Sequence, residues 1–202
     1  MRSREKVAWL AFGGFCALTL LALLIPPQRN AGAAAAALPD GPPDSPVEAP
    51  PDLSSMSPRE RFDRLYNRVM TAAEAGNAAE VSRFSPMAFA AYSQLDSADA
   101  DARYHAAVLY LHVASDTAAA LRLADSIAIA APAHLFAILL RGTAARQSGN
   151  APLLARAQRE FLAAWEAEMQ KDRSEYRDHR TSLDEFRNAA LRETAARTPI
   201  GQ

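Results

Sequence analysis

The sequence predicts an all-α fold of antiparallel helix pairs stacked into a short array, on three observations. Gly76-Asn77 and Gly149-Asn150, 73 residues apart, each end one apolar helical stretch and open another. Thr71-Ala72-Ala73 and Thr143-Ala144-Ala145 precede these pairs, while Ala90-Ala91-Tyr92 and Ala163-Ala164-Trp165 follow them. Repetition at a fixed interval marks stacked supersecondary units, because one helix pair cannot bury its apolar face without a neighbour. Second, apolar residues recur at three- and four-residue intervals, as Phe62, Leu65, Tyr66, Val69 and Met70 do. Third, no segment alternates with period two, and alanine and leucine outnumber the β-branched residues.

The elements follow in order. Ser57-Pro58-Arg59-Glu60 combines a capping serine, a proline at the first helical position and a glutamate that reaches back to the cap. The helix it opens ends at Gly76-Asn77. A second runs over 78–94 with a bend or restart at Ser85-Pro86, where proline removes a donor. Further helices are expected over 101–114, 117–131, 133–148 and 152–171. Ser182-Leu183-Asp184-Glu185 reads as a second capping box, opening a last helix to about Arg197. Between them, 171–180 alternates charge sign and reads as a solvated helix end and connector. The helical domain therefore covers 57–197, with 198–202 a disordered end.

Ahead of the domain, Arg2, Arg4 and Lys6 precede an uncharged stretch from Val7 to Ile25. At the helical rise, that stretch spans roughly 28 Å, close to the bilayer core. The basic flank places residues 1–6 in the cytoplasm and the rest of the chain beyond the membrane. Two readings stay open: an uncleaved anchor over 7–25, or a secretory signal cut near the alanines at 33–37 and a secreted product. Both export the domain, to the periplasm in a bacterium with two membranes. From 26 to 56 the chain is rich in proline and alanine and poor in large apolar residues, which describes an extended, disordered spacer. The only cysteine, Cys16, lies in the apolar stretch, so the domain is held by packing and not by disulfides.

Taken from Asp101 to His134, the spacing resembles the tetratricopeptide repeat, a helix–turn–helix of about 34 residues. Tyr104, Ala107, Val108 and Leu111 fall at packing positions of the first helix; Ala120, Ala124 and Pro132 match the second and its terminator. Ile138, Gly142, Ala145 and Gly149 fall at the corresponding places of the next unit, Leu135 to Glu168. A more degenerate unit runs from Phe62 to Leu95, separated by the insert Asp96-Ser97-Ala98-Asp99-Ala100. Pro86 and Pro152 depart from the family pattern.

The resemblance implies that the first helices line a concave protein-binding surface. It places Asp63, Tyr66, Met70 and Glu74, then His105, Leu109, His112 and Val113, then Phe136, Leu139, Thr143, Arg146 and Gln147 there. Of these, Tyr66, Met70, His105, Leu109, His112, Thr143, Arg146 and Gln147 are the candidate groove residues, suited to an extended peptide or a partner's helix. Leu109, Val113 and Leu139 can equally be core residues of facing helices.

Catalytic signatures are missing: there is no HExxH, GxSxG, GxxxxGK or GxGxxG. His105 and His112 lie two turns apart, about 10 Å, which is too far for one metal clamp, and a spacing of four would serve better. His134, in a turn, and His179, in the charged stretch, are expected to be solvated. Asp99, Asp101, Asp172 and Asp184 read as caps or ion-pair partners. From Pro58 onward, eighteen basic residues balance eighteen acidic ones, so no positive field gathers nucleic acid. The expectation is a protein-binding scaffold or assembly factor without catalysis or cofactor, held to the bilayer through 7–25. A structural homo-oligomer and a cryptic helical enzyme or metal protein are the alternatives.

Overall fold

A computed structural model describes residues 56–197, and these are helices and turns without a strand. The tail, the 7–25 anchor, the spacer up to residue 55 and the 198–202 end lie outside the described residues. Among the described residues eight helices follow one another: α1 (Pro58–Glu74), α2 (Ala78–Ser93), α3 (Ala100–His112), α4 (Thr117–Ala130), α5 (Leu135–Gln147), α6 (Ala151–Met169), α7 (Ser174–Asp178) and α8 (Arg180–Arg197).

Local chemistry starts and stops them. The Ser57–Glu60 capping box forms in full, with the Ser57 hydroxyl accepting from the Glu60 N–H and the Glu60 carboxylate accepting from the Ser57 N–H. Asn77, Asp99, Asp116 and Asn150 each cap the next helix by accepting a backbone N–H three residues on. Gly76 and Gly149 take left-handed backbone, with φ of 69° and 67°. Across each of these two turns the following asparagine N–H donates to a carbonyl five residues back at 2.8 Å, from Asn77 to Ala72 and from Asn150 to Ala145. The 73-residue echo is thus one turn built twice.

A third such turn joins α3 to α4. Ser115, also left-handed at φ 54°, stands directly before the cap Asp116, as Gly76 and Gly149 stand before theirs. This turn is one residue wider, with the Asp116 N–H donating to Tyr110. The sequence places a break here, between 114 and 117, but with no glycine to mark it the likeness to the other two turns is hidden.

The helices pack as pairs, α1 on α2, α3 on α4 and α5 on α6, and each pair leans on the next. The first helices form a row, α1 beside α3 and α3 beside α5. Helix α8 takes the next place, against α6 and α5. The shared core joins Phe62 and Val69 of α1, Leu109 of α3, Ile127 of α4, Phe136 and Leu140 of α5, Phe161 of α6 and Leu183 of α8. Alanine is frequent in it (Ala102, Ala106, Ala107, Ala120 and Ala124 are buried), and small side chains let helix axes approach closely. Gly142 leaves no room for a Cβ, which would collide with the Phe186 ring of α8.

Three expectations need correction. Helix α2 does not restart at Pro86 but runs on through it, and Pro86 sits on its exposed face where water can serve the freed Ser82 carbonyl. Helix α8 begins at Arg180, so Ser182 is inside it and caps nothing; its hydroxyl pairs with the buried Tyr104 instead. The stretch 171–180 is solvated over Lys171, Asp172, Ser174, Arg177, Asp178 and Arg180 but is more than a connector. It contains α7, whose Tyr176 is 1% exposed.

Candidate functional site

The short α7 and the corner leading into α8 lie against the starting ends of α3 and α5, and two polar clusters hold them there. One is built on Glu168, which is 1% exposed near the end of α6. The Tyr176 hydroxyl donates to Glu168 Oε2 at 2.8 Å and accepts the Leu135 N–H at 3.0 Å. Leu135 opens α5, where helix N–H groups lack intrahelical partners, so a side chain from α7 satisfies a helix start. Burial works to raise the Glu168 carboxyl, but hydrogen bonds from Lys171 and Tyr176 outweigh it and hold it below the usual range. Burial pushes the Tyr176 phenol up, and the neighbouring Glu168 carboxylate adds to this.

His134 belongs to the same closure. It is 1% exposed, the opposite of the solvated residue expected in that turn. Its Nδ1 accepts the Phe136 N–H at 3.3 Å as the cap of α5, and its Nε2 donates to Glu175 Oε1 at 3.3 Å. Burial holds its pKa below the ordinary histidine value despite the Glu175 hydrogen bond.

The second cluster joins α1, α3 and the α7–α8 corner. Asp101 and His105 are one turn apart on α3, and His179 stands between α7 and α8. His105 Nε2 lies 3.0 Å from His179 Nε2, and His179 Nε2 lies 2.9 Å from Asp101 Oδ1. His105 Nε2 and Asp101 Oδ1 are 3.8 Å apart. On its other side, His105 Nδ1 meets Asp63 Oδ1 of α1 at 3.3 Å. Arg59 binds Asp63 at 2.7 Å, Asp99 at 2.8 Å and also Asp101. His179, expected in solvent, is mostly covered; its ring meets Tyr104 and Phe136 edge-on. The His105 ring stacks on Tyr66 at 4.0 Å and 15°, which fixes its plane.

Charge is unbalanced here. Asp63, Asp99 and Asp101 face one guanidinium, that of Arg59. Burial acts to raise Asp63 and Asp101, but hydrogen bonds from His105 and Arg59 to the first, and from His179 to the second, prevail and keep both carboxyls low. Asp101 also lines a polar cleft of 240 Å³ with Arg59, Asp99, Ser174, Glu175 and Asp178. Among the described residues, Asp101, His105 and His179 bring three potential metal-ligand atoms within 4.8 Å of one another.

The groove candidates divide. Leu109 is fully buried, and Tyr66 and His105 are buried and stacked on each other, so these pack within the first-helix row. Leu139 joins the same core, Val113 packs against it while staying half-buried, and Phe136 sits beneath His179. Met70 and Thr143 are half-buried, while Glu74, His112, Arg146 and Gln147 are exposed at the far ends of α1, α3 and α5. Arg146 also reaches over the Phe186 ring of α8, 5.8 Å from its centroid. His105 and His112 do not form a pair; the partner of His105 is His179, 74 residues along. The visible half of that signal was the four-residue spacing of Asp101 and His105 on one helix face. Among the described residues no helix is long and apolar enough to cross a membrane. Comparison with protein-family models, curated proteins and solved structures finds no match to this chain.

Proposed function

We propose that this chain is a membrane-tethered helical-repeat protein that binds a protein or peptide partner on the outer side of the bilayer, with no catalysis of its own. The observation that carries the proposal is the row of first helices. Stacking α1, α3 and α5 side by side places Glu74, His112, Arg146 and Gln147 at the ends away from the α7–α8 corner, all exposed. An extended peptide or a helix can span such a row, taking apolar contact from Met70 and Val113 and hydrogen bonds from Thr143, Arg146 and Gln147. The one-repeat spacing of the caps Asp116 and Asn150 favours a tetratricopeptide-like unit. The tether rests on the apolar sequence of 7–25.

Photocrosslinkers placed at positions 112 and 147 of the full-length chain in native membranes test this reading. A discrete crosslinked protein that is lost with Arg146→Glu is expected. Crosslinks only to a second copy of the chain would favour the homo-oligomer instead. Uniform labelling insensitive to Arg146→Glu would remove the groove.

A further inference from the structure

Independently of the partner-binding reading, the second polar cluster has the composition and spacing of a metal centre. We propose that Asp101, His105 and His179 bind one divalent transition-metal ion, of which Zn²⁺ is the best fit, and that the ion pins the α7–α8 corner to α3.

The first support is geometric. With metal–ligand bonds of about 2.0–2.1 Å, ligand atoms of a tetrahedral site stand roughly 3.3 Å apart. His105 Nε2, His179 Nε2 and Asp101 Oδ1 are separated by 3.0, 2.9 and 3.8 Å. Asp101 and His105 supply two ligands from one face of α3, and His179 supplies the third from a distant part of the chain. Three protein ligands leave a fourth position to water, and the polar cleft beside Asp101 gives solvent a way in.

Proton counting is the second support. When His105 Nδ1 donates to Asp63, His105 Nε2 carries a lone pair. His179 Nε2 then has a single hydrogen to share between that lone pair and the Asp101 carboxylate. Three converging acceptor-capable atoms with one proton among them are under-served, and a dication serves all three. Asp63 on the far nitrogen of His105 is the carboxylate–histidine arrangement that fixes the tautomer and orientation of a metal ligand. The third support is charge: three carboxylates against one arginine leave room for added positive charge. Imidazole with carboxylate and no thiolate suits zinc as well as iron, copper or nickel, and the near-tetrahedral spacing is what favours zinc.

The test uses the full-length chain, freed of any affinity-tag histidines and stripped of metal, titrated with Zn²⁺ against a chromophoric chelator. One ion per chain is expected, with the visible absorption of tetrahedral Co²⁺ when cobalt replaces zinc. His179→Ala and the isosteric Asp101→Asn each abolish stoichiometric binding, and Asp63→Asn weakens it by about 10–100-fold. His112→Ala, at an exposed histidine of the same helix, leaves binding unchanged. Zinc should also slow tryptic cleavage at Arg173, Arg177 and Arg180 in the wild type but not in His179→Ala. Helical circular dichroism shows which variants are folded, and Asp101→Asn decides if His179→Ala is not. Absence of stoichiometric zinc in the wild type, or binding that persists in a folded Asp101→Asn or His179→Ala chain, would overturn the proposal.

Discussion

The three hairpin turns and the α7–α8 corner are assembled in opposite ways. Each turn is local: a left-handed residue, a side-chain cap and a few backbone hydrogen bonds, all within about ten residues. The corner is non-local. Tyr176 answers Leu135 across 41 residues of chain, and His179 answers His105 across 74. The turns shape the pairs, whereas the corner ties the last element back across α5 and α3. Local geometry tolerates small faults, while a buried polar network fails when one member is removed, because its partners then lie dry and unpaired.

The largest effect should therefore come from the corner. Tyr176→Ala removes a fully buried ring and leaves both Glu168 and the Leu135 N–H without their partner. A loss of about 3–5 kcal/mol is expected in urea unfolding of the full-length chain. Tyr176→Phe keeps the ring and removes only the hydroxyl, so about 1–3 kcal/mol should be lost. A phenylalanine variant as stable as the wild type would show that the network contributes packing alone.

Acid should loosen the same region. His134 is buried and neutral, with its folded pKa below the ordinary value, so the unfolded chain takes up a proton that the folded chain refuses. Its contribution is complete above about pH 6.5, falls as the pH drops through that value, and levels off below the folded pKa. Glu175 of α7 and Glu168 of α6 favour the charged ring, while Arg173 and burial oppose it. His134→Asn keeps a capping acceptor for α5 and removes the titration. It should flatten the stability profile as the pH falls from neutral through the ordinary histidine range. An unchanged slope would assign the acid response to other groups.

Smaller, but sharper in sign, is the contrast among the turns. Gly76→Ala and Gly149→Ala should each cost about 1–2 kcal/mol, because a Cβ is disfavoured in left-handed backbone even where space is open, as it is at both positions. Ser115→Gly at the equivalent place should gain about 0.5–1 kcal/mol, since relief of that strain exceeds the added freedom of the unfolded glycine. Equal signs at Ser115 and Gly149 would mean that the three turns are not equivalent.

These differences follow how much of the molecule was legible in its sequence. Helix starts and ends were readable because their causes are neighbours in sequence: the Ser57–Glu60 box, Asn77 and Asn150 behind their glycines, and the three–four stripe of α1. The break at Ser115 was also readable, but its likeness to the glycine turns was not, because serine carries no turn signal of the strength of glycine. The stretch 171–180 escaped for a deeper reason. Its alternating charges look solvated in any local window, and Lys171 and Arg177 are indeed exposed, yet Tyr176 is buried and His179 mostly covered by residues far along the chain. Ser182 misled for the converse reason, offering a capping pattern inside a helix already begun at Arg180.

Amide hydrogen exchange at Leu135 bears most directly on the central claim, that this chain closes on itself through residues 171–180. The first N–H of α5 has no intrahelical acceptor and is held by the Tyr176 hydroxyl. It should exchange slowly in the wild type and open to solvent in Tyr176→Phe, while the Asn77 and Asn150 amides in their turns are unchanged. Exchange of Leu135 at the free-peptide rate in the wild type would contradict the closure.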